Sequence, residues 1–138
     1  MTARMLGAAL GLSVRGVCTL DVLAVAADES GPFVVATDAR RREVYWASYA
    51  DRRTRVAGPS VSKPAEVATE QPVVGRGARL YPDAFPDARA PLDPSAGVLA
   101  CAVVDGSLTL LAPEPLYLRR PDAAEPARSK PSLSKPVR

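Results

Sequence analysis

The apolar residues of this chain fall into short blocks between charged or proline-rich stretches, and two of the blocks set the frame. Phe33-Val34-Val35-Ala36-Thr37 is a continuous apolar run that reads as a strand. Glu43-Val44-Tyr45-Trp46-Ala47-Ser48-Tyr49 is rich in β-branched and aromatic residues. With a short polar connection between them, the two runs predict an antiparallel hairpin. The only Trp and two of the four Tyr lie in the second run, which puts the expected centre of the core at Trp46 and its neighbours.

Around this hairpin the pattern is mostly helical or punctuated. Residues 2–10 have helical apolar spacing and stop at Gly11. Residues 13–17 read as a short strand. Thr19 is the expected cap of a helix ending near Ala27, with Asp21 favourable in its first turn. Residues 28–32 carry turn chemistry. After Asp51 the chain is polar to Arg55. Ser62-Lys63-Pro64-Ala65-Glu66 reads as a helix start, and Gln71-Pro72-Val73-Val74-Gly75 as a brief buried strand. Residues 81–91 hold several prolines and read as a surface connection. Asp93-Pro94 is the expected cap of a helix over residues 95–104, stopped by Asp105-Gly106. Residues 113–120 read as an extended closing segment. Beyond Pro121, Pro, Lys, Arg, Ser and Ala dominate, the composition of a disordered tail.

Composition changes this picture in two places. The 138 residues, 47% hydrophobic and 24% charged, suit one domain of a globular protein. The net charge of +3 is unevenly spread. Residues 119–138 hold six Lys or Arg and two acids, leaving twelve basic and thirteen acidic residues before them. Only the tail is basic, so the folded part lacks the charge excess of a general nucleic-acid binder. Cys18 and Cys101 lie far apart in apolar settings and read as buried hydrophobes of a reduced, cytoplasmic protein. No stretch approaches the ~20 apolar residues of a membrane span, so no membrane association is expected.

Candidate chemistry is sparse. The sequence has no His, which excludes Ser/His/Asp and Cys/His mechanisms for Ser13, Ser48, Ser107 and both cysteines. No acidic pair shows metal-ligand spacing. Asp38 and Glu43 flank the hairpin connection and read either as paired carboxylates or as a turn residue and a strand-edge charge. Arg40, Arg41 and Arg42 read either as a grip on phosphate or RNA or as a solvated loop tip. Gly75 and Gly77 follow a strand, as a phosphate-cradling loop would, but without the full glycine fingerprint; a tight turn is the better explanation of them.

Several of these stretches together resemble the TsaB (YeaZ) family. Residues 11–24 are similar to its strand-to-helix segment. Asp38-Ala39-Arg40-Arg41-Arg42-Glu43-Val44-Tyr45-Trp46 resembles its Asp-Ala-Arg-x-Gly-Glu-Val-Tyr hairpin, with Arg42 in place of the usual Gly. Gly75-Arg76-Gly77-Ala78 and Pro115-Leu116-Tyr117-Leu118-Arg119-Arg120-Pro121 follow in the family's order and spacing. The resemblance implies an α/β, actin-like ATPase (ASKHA) fold, represented mainly by its second lobe, with a small mixed sheet flanked by helices. It divides the chain into a truncated domain over residues 1–121, of which 1–11 is the remnant of a first-lobe helix, and a tail over 122–138.

Functionally, the resemblance implies a non-catalytic subunit of the machinery that makes threonylcarbamoyladenosine in tRNA. Its partners would be TsaD, which transfers the threonylcarbamoyl group, and TsaE. It implies no cofactor in this chain, ATP and a metal being used on the partner, and only indirect contact with tRNA. The family's opening hairpin and its Gly-Pro-Gly-Ser-Phe-Thr-Gly-Leu-Arg stretch have no counterpart here, so the chain is expected to bind TsaD weakly until that part is restored. Met5, Leu6, Ala9 and Leu10 are the expected remnant of the partner-binding face. Two alternatives stand beside this reading: a metallopeptidase-like or acyltransferase enzyme of the same superfamily, and an RNA-binding module using the basic tail. The sequence leaves homodimerisation open.

Overall fold

A computed structural model describes residues 2–119. The expected disordered tail over 122–138 lies outside the described residues.

Strands β1 (Phe33–Asp38) and β2 (Val44–Asp51) form the expected hairpin, with Phe33 opposite Tyr49 and Asp38 opposite Val44. Successive side chains of a strand point to opposite faces, and here both faces are covered. Phe33 and Val35 of β1 meet Ala47 and Tyr49 in one cluster. Val34 and Ala36 meet Val44 in another. That double burial is why the β1 run is apolar without alternation. Helix α2 (Thr19–Ala26) closes the first face with Leu20, Leu23 and Ala24. Helix α3 (Arg76–Leu80) and Phe85 close the second. Helix α4 (Ala96–Val104) packs outside α2, where Ala102 and Leu108 meet Val22.

Three more strands complete a five-stranded sheet in the order β3-β2-β1-β4-β5. β3 (Thr54–Ser62) runs antiparallel to β2; β4 (Val73–Val74) is parallel to β1, and β5 (Ala88–Arg89) parallel to β4. The sheet is therefore mixed and flanked by helices, the α/β class expected.

Several local expectations are corrected. Trp46 is not the core centre: it is half-buried at the margin of the second cluster, with its indole N–H donating to Ser62 Oγ at 3.3 Å. The largest fully buried side chains include Phe33 and Phe85, and the Phe33 ring stacks on Tyr49 at 5.4 Å. Residues 13–17 contribute one isolated bridge, Gly16 to Leu111, instead of a strand. Cys18 takes the cap position of α2 and Thr19 is already helical. The start expected at Ser62 is a single 3-10 turn, Pro64–Glu66, with Ser62 still in β3. Ser95, not Asp93, caps α4, its Oγ accepting from Val98 N–H. Asp93 instead receives the Arg76 guanidinium, with Nε to Oδ1 at 2.9 Å, which holds its carboxyl below the usual range. Cys101 is exposed while Cys18 is buried, and both are free thiols.

One polar network sits under the first cluster. Tyr49 is 2% exposed and its hydroxyl donates to Asp21 Oδ1 at 2.7 Å. Arg55 reaches the same oxygen at 3.1 Å. Burial, and then the hydrogen bond to Asp21, push the Tyr49 phenol well above the ordinary tyrosine range. The folded state thus keeps the proton that an unfolded chain releases near pH 10. A raised folded value means stability is complete below that pH and is lost progressively as pH rises above it. A stability profile should fall on the alkaline side of about pH 10, and Tyr49→Phe should remove the part of that fall due to this group.

Candidate functional site

The loops at the C-terminal ends of β1 and β4 gather Asp38, Arg40, Arg41, Arg42, Glu43, Gly75 and Gly77. Parallel strands that end side by side leave a crevice beyond their carboxyl ends. Here β1 ends at Asp38 and β4 runs into Gly75.

The β1–β2 connection is tight. Ala39 N–H donates to Glu43 O and Glu43 N–H to Arg40 O, each at 3.0 Å. To close it, Arg40, Arg41 and Arg42 all adopt left-handed backbone, with φ of 61°, 55° and 60°. For non-glycine residues this costs roughly 1–2 kcal/mol each. Asp38 offsets part of that cost: its Oδ1 accepts from the Arg40 N–H at 2.8 Å and its other oxygen lies 3.5 Å from the Arg40 guanidinium. Arg42→Gly is therefore expected to stabilise the protein by about 1 kcal/mol, read as a higher midpoint in urea.

Asp38 and Glu43 do not act as a pair. Asp38 holds the loop, while Glu43 is bonded to Arg119 of the closing segment. That ion pair joins the two stretches on which the sequence resemblance rests most. Arg119 is thereby fixed beside the hairpin tip.

Gly75 and Gly77 meet the backbone of β1. Gly75 has φ 110°, and a Cβ there would strike the Ala36 carbonyl oxygen; a Cβ on Gly77 would lie 2.9 Å from the same residue. The space glycine leaves is filled by Ala36, so close packing of β4 and α3 on β1 accounts for both glycines.

Beside the hairpin tip lies a groove of about 340 Å³ on one side and one of about 540 Å³ on the other. The first is lined by Cys18, Thr19, Tyr45 and Pro59, and by Leu116 and Leu118 of the closing segment. The second has an apolar floor of Pro64, Leu80 and Tyr81, with Arg41, Arg42 and Lys63 among its lining residues. Lys63 and Tyr81 were not legible as site residues, because they come from stretches that read as a helix start and a connection. Only the three-dimensional return of those stretches to the tip brings them there.

The remaining candidates are dispersed. On α1 (Thr2–Leu10), Met5, Leu6, Ala9 and Leu10 are all exposed, the three larger ones by 68%, 58% and 61%, and Gly7 alone is buried. Gly7 faces Val14. The Ser107 hydroxyl is bonded to Asp105, at the turn after α4. Among the described residues no group of three or more His, Cys, Asp or Glu could hold a metal, and no helix is long and apolar enough to cross a membrane.

A mixed sheet of this order, clasped by helices on both faces, defines an α/β domain. The chain belongs to the TsaD family, whose model, described as tRNA N6-adenosine threonylcarbamoyltransferase, matches residues 1–105. Among solved structures it resembles YeaZ from Pseudomonas aeruginosa, with a TM-score of 0.63 and 25% identity over 84% of this chain and 65% of that one. A second crystal structure, of a protein with similarity to peptidase YeaZ from the same organism, also gives a TM-score of 0.63, covering 86% of this chain and 64% of that one. An uncharacterized Mycobacterium leprae protein is 43% identical over 88% of the chain, and one from Mycobacterium tuberculosis 42% identical over the same share. The chain spans only 33% and 56% of those two relatives.

Proposed function

We propose that this chain is the main part of a YeaZ-type accessory subunit that serves threonylcarbamoylation of tRNA adenosine by supporting TsaD, without performing the transfer itself. The observation that carries the reading is the joint match of residues 1–105 to the TsaD family model and of the fold to YeaZ. The accessory role is supported by the chemistry of the site. There is no His to act as base or ligand, and the two carboxylates at the hairpin are each engaged by an arginine. In this reading the ATP and metal of the reaction are handled by the partners TsaD and TsaE, and this chain holds neither. An enzyme of the same superfamily is the weaker reading for the same reasons.

Reconstitution tests the proposal. TsaD, TsaE, ATP, an activated threonylcarbamoyl donor and tRNA are combined, and modified adenosine is counted by mass spectrometry of the digested tRNA. This chain without TsaD should give none. The chain joined at its N-terminus to the part of YeaZ it does not match should raise TsaD turnover. Modification by this chain in the absence of TsaD would make it an enzyme, and failure of the extended form to stimulate TsaD would end the accessory reading.

A further inference from the structure

We propose that the groove beside the hairpin tip is a docking site for a single RNA strand, with phosphates held by Arg42 and Lys63 and a base laid on Tyr81. The groove combines what single-strand sites need: cations that track the backbone and an aromatic, sequence-tolerant platform. Its floor is apolar at Pro64, Leu80 and Tyr81, and Leu80 is 49% exposed. Its cations stand on separate elements, Arg41 and Arg42 on the β1–β2 loop and Lys63 after β3. Arg42 and Lys63 make no ion pair among the described residues. The carboxylate lining this groove is Asp83; Asp38 and Glu43 nearby are neutralised by Arg40 and Arg119.

Arg42 and Lys63 line one groove from two elements, and an anion long enough to reach both is their shared complement. A strand with stackable bases suits the tyrosine platform better than an acidic peptide does. That the strand belongs to tRNA rests on the function proposed above; the capacity to hold RNA does not.

The test uses the full chain and fluorescence anisotropy with two probes, a labelled oligouridylate and a labelled tRNA, over a salt series. The groove variant is Arg42→Gly with Lys63→Gln, chosen because the first change relieves the left-handed backbone and keeps the fold. A tail variant carries Arg128→Ser, Lys130→Ser and Lys135→Ser with the groove intact. The groove variant should weaken oligouridylate binding about tenfold and flatten the salt dependence by about 1.4 in log–log slope, two phosphates at about 0.7 each. Tyr81→Leu should weaken binding with no change in that slope. A groove variant that binds as the parent does, with all loss confined to the tail variant, would overturn the proposal. So would an equal grip on a polyglutamate peptide of matched charge. RNA binding by residues 1–138 with no TsaD stimulation by the extended form would end the accessory role and leave this proposal standing; stimulation by the extended form with no RNA binding by residues 1–138 would end this proposal alone.

Discussion

Phe85→Ala is expected to destabilise the protein by about 3–5 kcal/mol, more than any change to the single tryptophan. Phe85 is fully buried, within the cluster formed by Val34, Ala36, Val44, Val73 and Ala78. Its backbone N–H is tied to Tyr81 O at 3.1 Å, so the ring cannot move in bulk to refill a cavity. Loss of the ring removes the largest buried side chain of that cluster and leaves a void that α3, only five residues long, cannot close. Trp46→Ala, by contrast, removes a half-buried ring and one hydrogen bond, for about 1–2 kcal/mol. Urea melts of the two variants measure both. A larger loss at Trp46 than at Phe85 would mean that the second cluster is assigned wrongly.

Gly75→Ala is expected to be nearly as damaging, roughly 2–6 kcal/mol. A non-glycine residue at φ 110° costs about 1–3 kcal/mol in backbone strain. The added methyl must also push the Ala36 carbonyl aside, an overpacking cost of about 1–3 kcal/mol. Ala36 sits in the middle of β1, paired with Trp46, so the collision passes straight into the central hairpin. Gly11→Ala is the control: Gly11 also has positive φ, 66°, but a Cβ there meets nothing within 4 Å. It should lose only the strain component, and equal losses at the two positions would show that close approach to Ala36 is not what Gly75 is for.

The central hairpin was legible because burial on both faces writes an unbroken apolar run into β1, and a tight polar link separates it from β2. β3 was not, because it is the sheet's edge: residues 54–58 are exposed, and the strand carries Pro59, which an edge tolerates. α3 was hidden by its length and by Gly77, which alone would argue against a helix. Phe85 was hidden among prolines, where a single aromatic gives no periodicity. The arginine run at the hairpin tip was visible as charge, but its left-handed backbone was not. Neither was the meeting of that tip with Lys63, Tyr81 and Arg119, since contacts between distant stretches leave no local spacing to read. The family resemblance drew the hairpin and the closing segment together before the Glu43–Arg119 pair gave that link a physical form.

The state of α1 bears most on the proposed role. A helix of nine residues is marginal alone in water, and this one leaves Met5, Leu6 and Leu10 uncovered. A few apolar side chains can carry much of an interface, and in the accessory reading we propose that these form part of the face that meets TsaD. Calorimetric titration of TsaD tests this most directly, with residues 1–138 compared with the same chain joined at its N-terminus to the unmatched part of YeaZ. The account predicts clear binding by the extended form and at least about tenfold weaker binding by residues 1–138, a difference of about 1.4 kcal/mol. Equal affinity would contradict the view that α1 is an incomplete face, and no binding by either form would contradict partnership with TsaD.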